Sequence, residues 1–189
     1  MKVGEVMTRN VKTCAPGDTL HLAAKIMWEN DCGCVPIVNR ESKLTGILTD
    51  RDICMAAYTQ GMTLSMVNVE SAMASTVVSC NPQDELEDAQ KLMRRHRVRR
   101  LPVVDAGGKI VGLLSLSDIA REAERERREG ERQQVRATDV AATLGGICAQ
   151  PAHVDAHVAF GPEAGEREFP PTPAPKRGHL HKPHGRPGR

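Results

Sequence analysis

Apolar and polar residues follow a pattern that occurs twice along the chain. Each occurrence begins with a short run of alternating apolar residues, 11–14 and 77–80, which predicts a strand. Apolar residues then recur at helical spacing, as at Leu20, Ala23 and Met27. The runs VPIV and LPVV, followed by LTGILT and IVGLLS, predict two further strands, each pair leading into a second helix. The predicted order is therefore β-α-β-β-α, twice.

The two occurrences align without a gap at one constant offset. Identical residues coincide along this alignment, among them Met7 with Met73, Cys14 with Cys80, Pro36 with Pro102, Gly46 with Gly112 and Asp52 with Asp118. So many coincidences at a single offset indicate an internal duplication. Because one such unit would bury little surface alone, we expect the two copies to pack on each other.

Acidic residues and glycines predict where the helices begin and end. Asp18 and Asp84 stand where an N-cap belongs, and Glu87 adds a capping-box spacing in the second copy. The charged segment that follows predicts a solvated helix that breaks at Gly130. A short helix is expected over 138–147, capped by its first residue and ended by its glycine pair.

These patterns predict an α/β (α+β) fold class with two packed units and a tail. We expect a first unit over residues 1–62 and a second over 63–125. A charged linker with the short helix would cover 126–150. Proline, glycine, histidine and arginine dominate 151–189, which predicts a disordered tail.

Composition narrows the function. The formal net charge is only +2, so no overall field favours nucleic acid or an anionic membrane. No apolar run approaches the roughly 20 residues of a membrane helix, and the first residues lack the apolar core of a secretory signal. We therefore predict a cytoplasmic protein without membrane contact, whose six cysteines are reduced.

The second strand of each copy ends in a phrase with two interpretations, GILTDRD and GLLSLSD. Thr49 with Asp52, and Ser115 with Asp118, have the spacing of a helix cap. The same atoms would suit a nucleoside, because a helix N-terminus attracts anions and a carboxylate can accept hydrogen bonds from a ribose diol. The preceding glycine lets a ligand or another backbone approach closely.

Taken together, V-M-T in the first copy, with P-x-D, x-P-[VI]-V and G-[IL]-L-[TS]-x-x-D-I in both copies, resemble a tandem pair of cystathionine-β-synthase (CBS) domains. HRVRRLPVV and SLSDIA are similar to segments of small stand-alone bacterial CBS-pair proteins of the hypoxic response type. The resemblance implies pseudo-twofold packing with two clefts, and a homodimer. It also implies a regulatory sensor without catalytic activity that binds an adenosine-containing ligand, with AMP, ADP or ATP favoured.

The resemblance also implies where this ligand binds. Asp118 would hold the ribose in one cleft, whose other predicted residues are Ser115, Ser117, Arg9, Cys32 and Gly33. Asp52 would hold it in the second cleft, whose other predicted residues are Thr49, Val98, Arg99 and Arg100. Because the two arginines have no cationic counterpart in the first copy, the Asp52 cleft should bind a phosphorylated ligand better. Arg51 adds charge there but could equally obstruct the ligand.

Other functions are weighed against this one. The cluster RRHRVRR has no aromatic residue nearby for stacking, so nucleic acid is not an expected partner. Arg94, Arg95 and Arg97 are instead expected at a solvated helix end, where positive charge suits the helix dipole. His21 and His96 lack a paired nucleophile, so no catalytic residue or catalytic cofactor is predicted.

Two alternatives remain open. One is a ligand-free CBS-pair protein that acts in stress or as an interaction scaffold for an unidentified effector. The other is a thiol- or metal-responsive module using Cys14, Cys80 and Cys148, although buried reduced cysteine is the ordinary interpretation. The spacing of the cysteines does not predict a structural zinc site.

Overall fold

The computed structural model describes residues 1–130 and 134–149, so the predicted tail over 151–189 lies outside the described residues. Four strands form two antiparallel hairpins, one in each copy. The strands are β1 (Cys34–Val38), β2 (Leu44–Thr49), β3 (Arg100–Val104) and β4 (Ile110–Ser115). Both hairpins have the same register, because Cys34 pairs with Thr49 and Arg100 with Ser115 at equivalent positions.

Six helices lie in the described residues. They are α1 (Val3–Val6), α2 (Leu20–Glu29), α3 (Asp50–Gln60), α4 (Leu86–His96), α5 (Leu116–Glu129) and α6 (Ala137–Cys148), and a 3₁₀ turn covers Val69–Ser71. The mixed α and β fold with two equivalent copies is confirmed. None of the described helices is long and apolar enough to cross a membrane.

The first predicted strand of each copy is wrong in extent. Cys14 forms a single parallel bridge with Ile37, and Cys80 forms the equivalent bridge with Val103. The Cys14 amide donates to the Pro36 carbonyl, and the Val38 amide donates to the Cys14 carbonyl. Pro36 has no N–H group that could donate a further hydrogen bond to this segment, so the pairing is limited to one bridge.

Each copy has its own apolar core. Each core is completed by a short segment that precedes the helices and strands of the other copy along the chain. Val3 and Met7 at the N-terminus are buried in the second core, with α4, α5 and their strands. Val67 and Val69, which follow the first copy, are buried in the first core. This arrangement means that neither copy can be removed without opening the core of the other.

The repeated glycine in β2 and β4 allows this exchange. A Cβ atom on Gly112 would lie 2.5 Å from the Met7 Sδ atom and 3.0 Å from the Thr8 carbonyl oxygen. Gly46 faces the equivalent atoms of Met73 and Ala74. The close approach expected at this glycine is therefore made by another backbone segment of the chain.

The predicted N-caps of the first helices are wrong by one residue. Thr19 caps α2 through its hydroxyl, while the Asp18 carboxylate accepts the Ala15 N–H at 2.7 Å and closes the preceding turn. In the second copy Glu85 is the N-cap and makes no side-chain capping bond, so the box proposed with Glu87 does not form. Asp84 again closes the turn before the helix.

The end of α5 at Gly130 is confirmed, with this glycine in the left-handed conformation. The predicted end of α6 is wrong, because its two glycines lie inside the helix. A Cβ atom on Gly146 would lie 2.9 Å from the Arg94 Cγ atom, so this glycine lets α6 approach α4 closely.

Arg94 is accordingly not at a solvated helix end. It is half-buried and donates to the hydroxyl of buried Thr143 at 3.0 Å. Helix α6 therefore covers the outer face of α4 and α5. Glu126, only 1% exposed, helps to hold the connection, because its carboxylate accepts the N–H groups of Gln134 and Val135.

Candidate ligand-binding site

The repeated phrase forms a capping box at the start of α3 and of α5. The Asp52 carboxylate accepts the Thr49 N–H at 2.8 Å, and the Asp118 carboxylate accepts the Ser115 N–H at the same distance. Each hydroxyl also donates to its aspartate and accepts the aspartate N–H. The capping interpretation is thus confirmed in both copies, and it uses only one oxygen of each carboxylate.

The second oxygen distinguishes the two aspartates. In Asp118, which is 7% exposed, it accepts from the Thr8 hydroxyl at 3.4 Å and forms an ion pair with Arg121. Around Asp52 the positions equivalent to Thr8 and Arg121 are occupied by Ala74 and Met55. Within residues 1–130 and 134–149, the Asp52 carboxylate accepts hydrogen bonds only from Thr49, and both go to the same oxygen. The second carboxylate oxygen of Asp52 therefore has no partner among these residues.

A cavity of about 390 Å³ lies beside Asp118. Its lining residues are Thr8, Asn10, Val11, Lys12, Asn30, Asp31, Cys32, Gly33, Cys34, Arg100, Leu113, Ser115, Ser117, Asp118 and Arg121. The fold thus gathers Ser115, Ser117 and Asp118 from the second copy with Cys32 and Gly33 from the first. The volume lies within the usual range for small-molecule pockets, roughly 300–1,000 Å³.

The cavity carries more positive than negative charge. Lys12, Arg100 and Arg121 are the cationic side chains, and Asp31 and Asp118 are the acidic ones. The first residues of α5 lie at the same wall, where the helix dipole favours an anion. The Leu116 and Asp118 N–H groups there are already bonded, to the Arg99 carbonyl and to the Ser115 hydroxyl. A ligand with a hydroxyl-rich part and an anionic part matches this distribution.

Arg100 lines the cavity beside Asp118, which the sequence did not predict. The hairpin register puts it directly beside Ser115, on the Asp118 side. Its guanidinium reaches Gly33, where an added Cβ would lie 3.0 Å from the Arg100 Nη2 atom and 3.2 Å from the Asp50 Oδ2 atom. Arg100 also lines a second, more open cavity of about 520 Å³ with Asp50 and Trp28.

Several predicted residues are not gathered at these two cavities. Thr49, Asp52 and Arg99 line neither of them. Val98 is half-buried and packs against the second core. Arg9 also lines neither cavity, and its guanidinium donates to the Gly4 carbonyl at 2.7 Å.

The sequence also missed functional candidates. Thr8 reaches the cavity only because the N-terminal segment crosses to β4, which no local pattern indicates. Lys12 also lines the cavity, and it lies in the segment 11–14, whose position no local pattern indicates either. Arg121 had a signal, since it stands three residues after Asp118 on a predicted helix, where side chains meet.

The cysteines do not converge. Cys14 is buried in the first core, Cys80 in the second, and Cys148 is exposed at the end of α6. Burial raises the pKa of the Cys14 thiol to about 11, with the Asp18 charge adding to the shift, and raises the pKa of Cys80 to about 12. Both thiols stay protonated near neutral pH and are poor nucleophiles. Among the described residues, no three His, Cys, Asp or Glu side chains cluster as metal ligands.

Two equivalent units with exchanged core segments, and a polar cavity where they meet, define a duplicated ligand-binding module. The CBS domain family matches this chain twice, over residues 3–58 and 69–125, and the chain belongs to that family. The predicted resemblance is confirmed.

Individual relatives agree with this assignment. The CBS domain-containing protein YhcV of Bacillus subtilis is 40% identical over 118 residues, 62% of this chain and 82% of YhcV. Hypoxic response protein 1 of Mycobacterium tuberculosis is 29% identical over 117 residues, 62% of this chain and 81% of that protein. Some relatives are longer: the match spans 23% of an inosine-5'-monophosphate dehydrogenase of Methanocaldococcus jannaschii, at 33% identity over 64% of this chain.

Solved structures share the fold. Hypoxic Response Protein I, solved with two coordinated zinc ions, superposes with a TM-score of 0.59 at 28% identity, covering 64% of this chain and 98% of that one. CBSX2, solved in complex with AMP, gives a TM-score of 0.60 at 27% identity, covering 67% of this chain and 98% of that one. The family therefore includes ligand-binding members of the same architecture.

Proposed function

We propose that this protein is a regulatory module that binds an adenosine-containing ligand of the AMP, ADP or ATP class and acts without catalysis in the cytoplasm. The observation that carries the proposal is the cavity beside Asp118, where a nearly buried carboxylate, two serines and three cationic side chains converge. A ribose diol suits the carboxylate, and a phosphate suits the cations and the start of α5. The AMP complex of CBSX2 supports the ligand class.

The proposal puts the phosphorylated ligand in the Asp118 cavity in preference to the Asp52 cleft. The resemblance favoured the Asp52 cleft because it implied that Arg99 and Arg100 face that cleft. Arg100 also lines the Asp118 cavity, where Lys12 and Arg121 add to its charge. Binding would regulate by favouring one of two conformations, of the homodimer or of a contact with an effector protein, because only differential affinity shifts an equilibrium.

Calorimetric titration of the full chain with AMP, ADP, ATP, S-adenosylmethionine and NAD tests the proposal. We expect at least one of AMP, ADP and ATP to bind saturably with a dissociation constant below about 1 mM. If none of the five compounds releases or absorbs saturable heat at millimolar concentration, the protein is a ligand-free CBS pair. The interaction scaffold would then be the better account.

The homodimer in this proposal is supported by apolar residues on the first copy. Trp28 in α2 and Tyr58 in α3 are 88% and 78% exposed. At the equivalent positions the second copy carries Arg94 and Glu124. The two copies have thus diverged on one helical surface, which is charged and partly covered by α6 in the second copy and apolar in the first. We infer that two chains join through α2 and α3 of their first copies.

Trp28 is the only tryptophan in the chain, so its fluorescence reports on this interface. We expect wild-type emission to shift to the blue as protein concentration rises, because the indole becomes buried. Tyr58→Glu, which gives α3 the charge found in the second copy, should abolish the shift and yield a monomer in sedimentation velocity. Gln60→Glu adds the same charge to the exposed end of α3 and should dimerise normally. A Tyr58→Glu variant that dimerises like the wild type would contradict this interface.

A further inference from the structure

Arg121 makes the two copies unequal at the proposed ribose carboxylate. It stands one turn after Asp118 in α5, and its Nη2 atom forms an ion pair with the Asp118 Oδ1 atom. At the equivalent position the first copy carries Met55, which has no charge to offer Asp52. A ligand that reaches Asp118 therefore meets a cation already bound there, and a ligand that reaches Asp52 does not.

The burial of the two partners shows how this contact can be exchanged. The Asp118 side chain is 7% exposed, whereas the Arg121 side chain is 72% exposed. The arginine thus approaches a fixed, buried carboxylate from the solvent side. Releasing the exposed guanidinium to water costs little, and a donor that replaces it at the Oδ1 atom keeps the buried carboxylate from being left without a partner. The Asp118 Oδ2 atom keeps its bonds to Ser115 throughout, so the helix cap survives the exchange.

We propose that Arg121 is an exchangeable counter-ion that makes the Asp118 cavity prefer phosphorylated nucleosides over unphosphorylated ones. The inference rests on the proposed function and deepens it. A ribose hydroxyl takes the place of Arg121 at the Asp118 Oδ1 atom. The released guanidinium remains at the cavity with Lys12 and Arg100 and pairs with the phosphate. Adenosine also breaks the ion pair but offers Arg121 no new partner, so the loss of the ion pair weakens adenosine binding. For a nucleotide, the new pair between Arg121 and the phosphate offsets that loss.

The quantity that tests this inference is the ratio of the dissociation constants of adenosine and AMP, measured by calorimetry on the full chain. Arg121→Ala should bind adenosine about threefold more tightly and AMP about threefold more weakly, so that the ratio falls about tenfold. Arg121→Lys keeps a cation and should retain most of the wild-type ratio. Arg128→Ala is the matched control, because Arg128 is 73% exposed on the same helix and pairs with Glu124. Its removal changes the net charge equally and should leave the ratio unchanged.

The outcomes separate this inference from the function on which it rests. If AMP binds the wild type but Arg121→Ala leaves the ratio unchanged, Arg121 is only a helix-surface ion pair and the inference is wrong, while the proposed function stands. A similar fall in Arg128→Ala would also overturn it, because the effect would then be general electrostatics. If neither wild type nor Arg121→Ala binds adenosine, AMP or ATP up to about 5 mM, the proposed function fails and the inference fails with it.

Discussion

Replacing Asp118 with alanine is expected to weaken AMP binding about 10- to 100-fold. The Asp118 side chain is almost fully buried at the wall of the cavity, and its Oδ1 atom is the one that a ribose hydroxyl would reach. Hydrogen bonds to a charged group contribute about 1.5–3 kcal/mol each. One such bond from a ribose hydroxyl to the Oδ1 atom therefore corresponds to about one to two decades in the dissociation constant.

Asp52→Ala is the matched control for this experiment. It removes the same capping box at the start of α3, and each variant should lose about 1 kcal/mol of stability through the cap. Only Asp118→Ala should lose the AMP site of the cavity in calorimetry, with both variants shown to be folded by circular dichroism. Equal losses in the two variants, or unimpaired AMP binding by Asp118→Ala, would contradict the placement of the ligand.

Replacing Gly112 with valine is expected to lower the free energy of unfolding by about 3 kcal/mol. The new Cβ would meet Met7 and the Thr8 carbonyl, and the larger side chain leaves less room still. Thr8 and Leu113 exchange two backbone hydrogen bonds at this point, both 2.9 Å. Forcing the strands apart adds an overpacking cost of about 1–3 kcal/mol to the weakening of those bonds. The second core would lose Met7 as well.

Gly145→Val is the control for this stability measurement. A Cβ on Gly145 meets nothing within 4 Å, and valine is at least as good a helix former as glycine. Urea denaturation should therefore put Gly145→Val within about 0.5 kcal/mol of the wild type. A Gly112→Val protein as stable as that control would show that the N-terminal segment does not lie against β4.

The sequence predicted the features that repeat. The constant offset identified the two copies, and the capping spacing of Ser115 and Asp118 predicted where α5 begins. These predictions succeeded because they depend on neighbours along the chain. The family resemblance had the same source, since its motifs lie within single strands and helix starts.

The sequence failed where distant segments meet. The Gly145–Gly146 pair reads as a helix end, but Gly146 instead makes room for Arg94 of α4, which tertiary packing alone decides. Arg100 was expected at the Asp52 cleft, and its place in the wall of the Asp118 cavity was not predicted. Thr8 reaches Asp118 only through the crossing of the N-terminal segment to β4. Contacts between segments so far apart in sequence leave no periodic signal.

Addition of AMP to the ¹⁵N-labelled full chain, followed by amide spectra, tests the central claim most directly. The account predicts saturable shifts of the amides in residues 115–118, at the start of α5, and of Cys32 and Gly33 across the cavity. The amide resonances of α6, which lies outside the cavity, should not shift. Spectra that do not change, or saturable shifts that leave residues 115–118 unmoved, would contradict a nucleotide site beside Asp118.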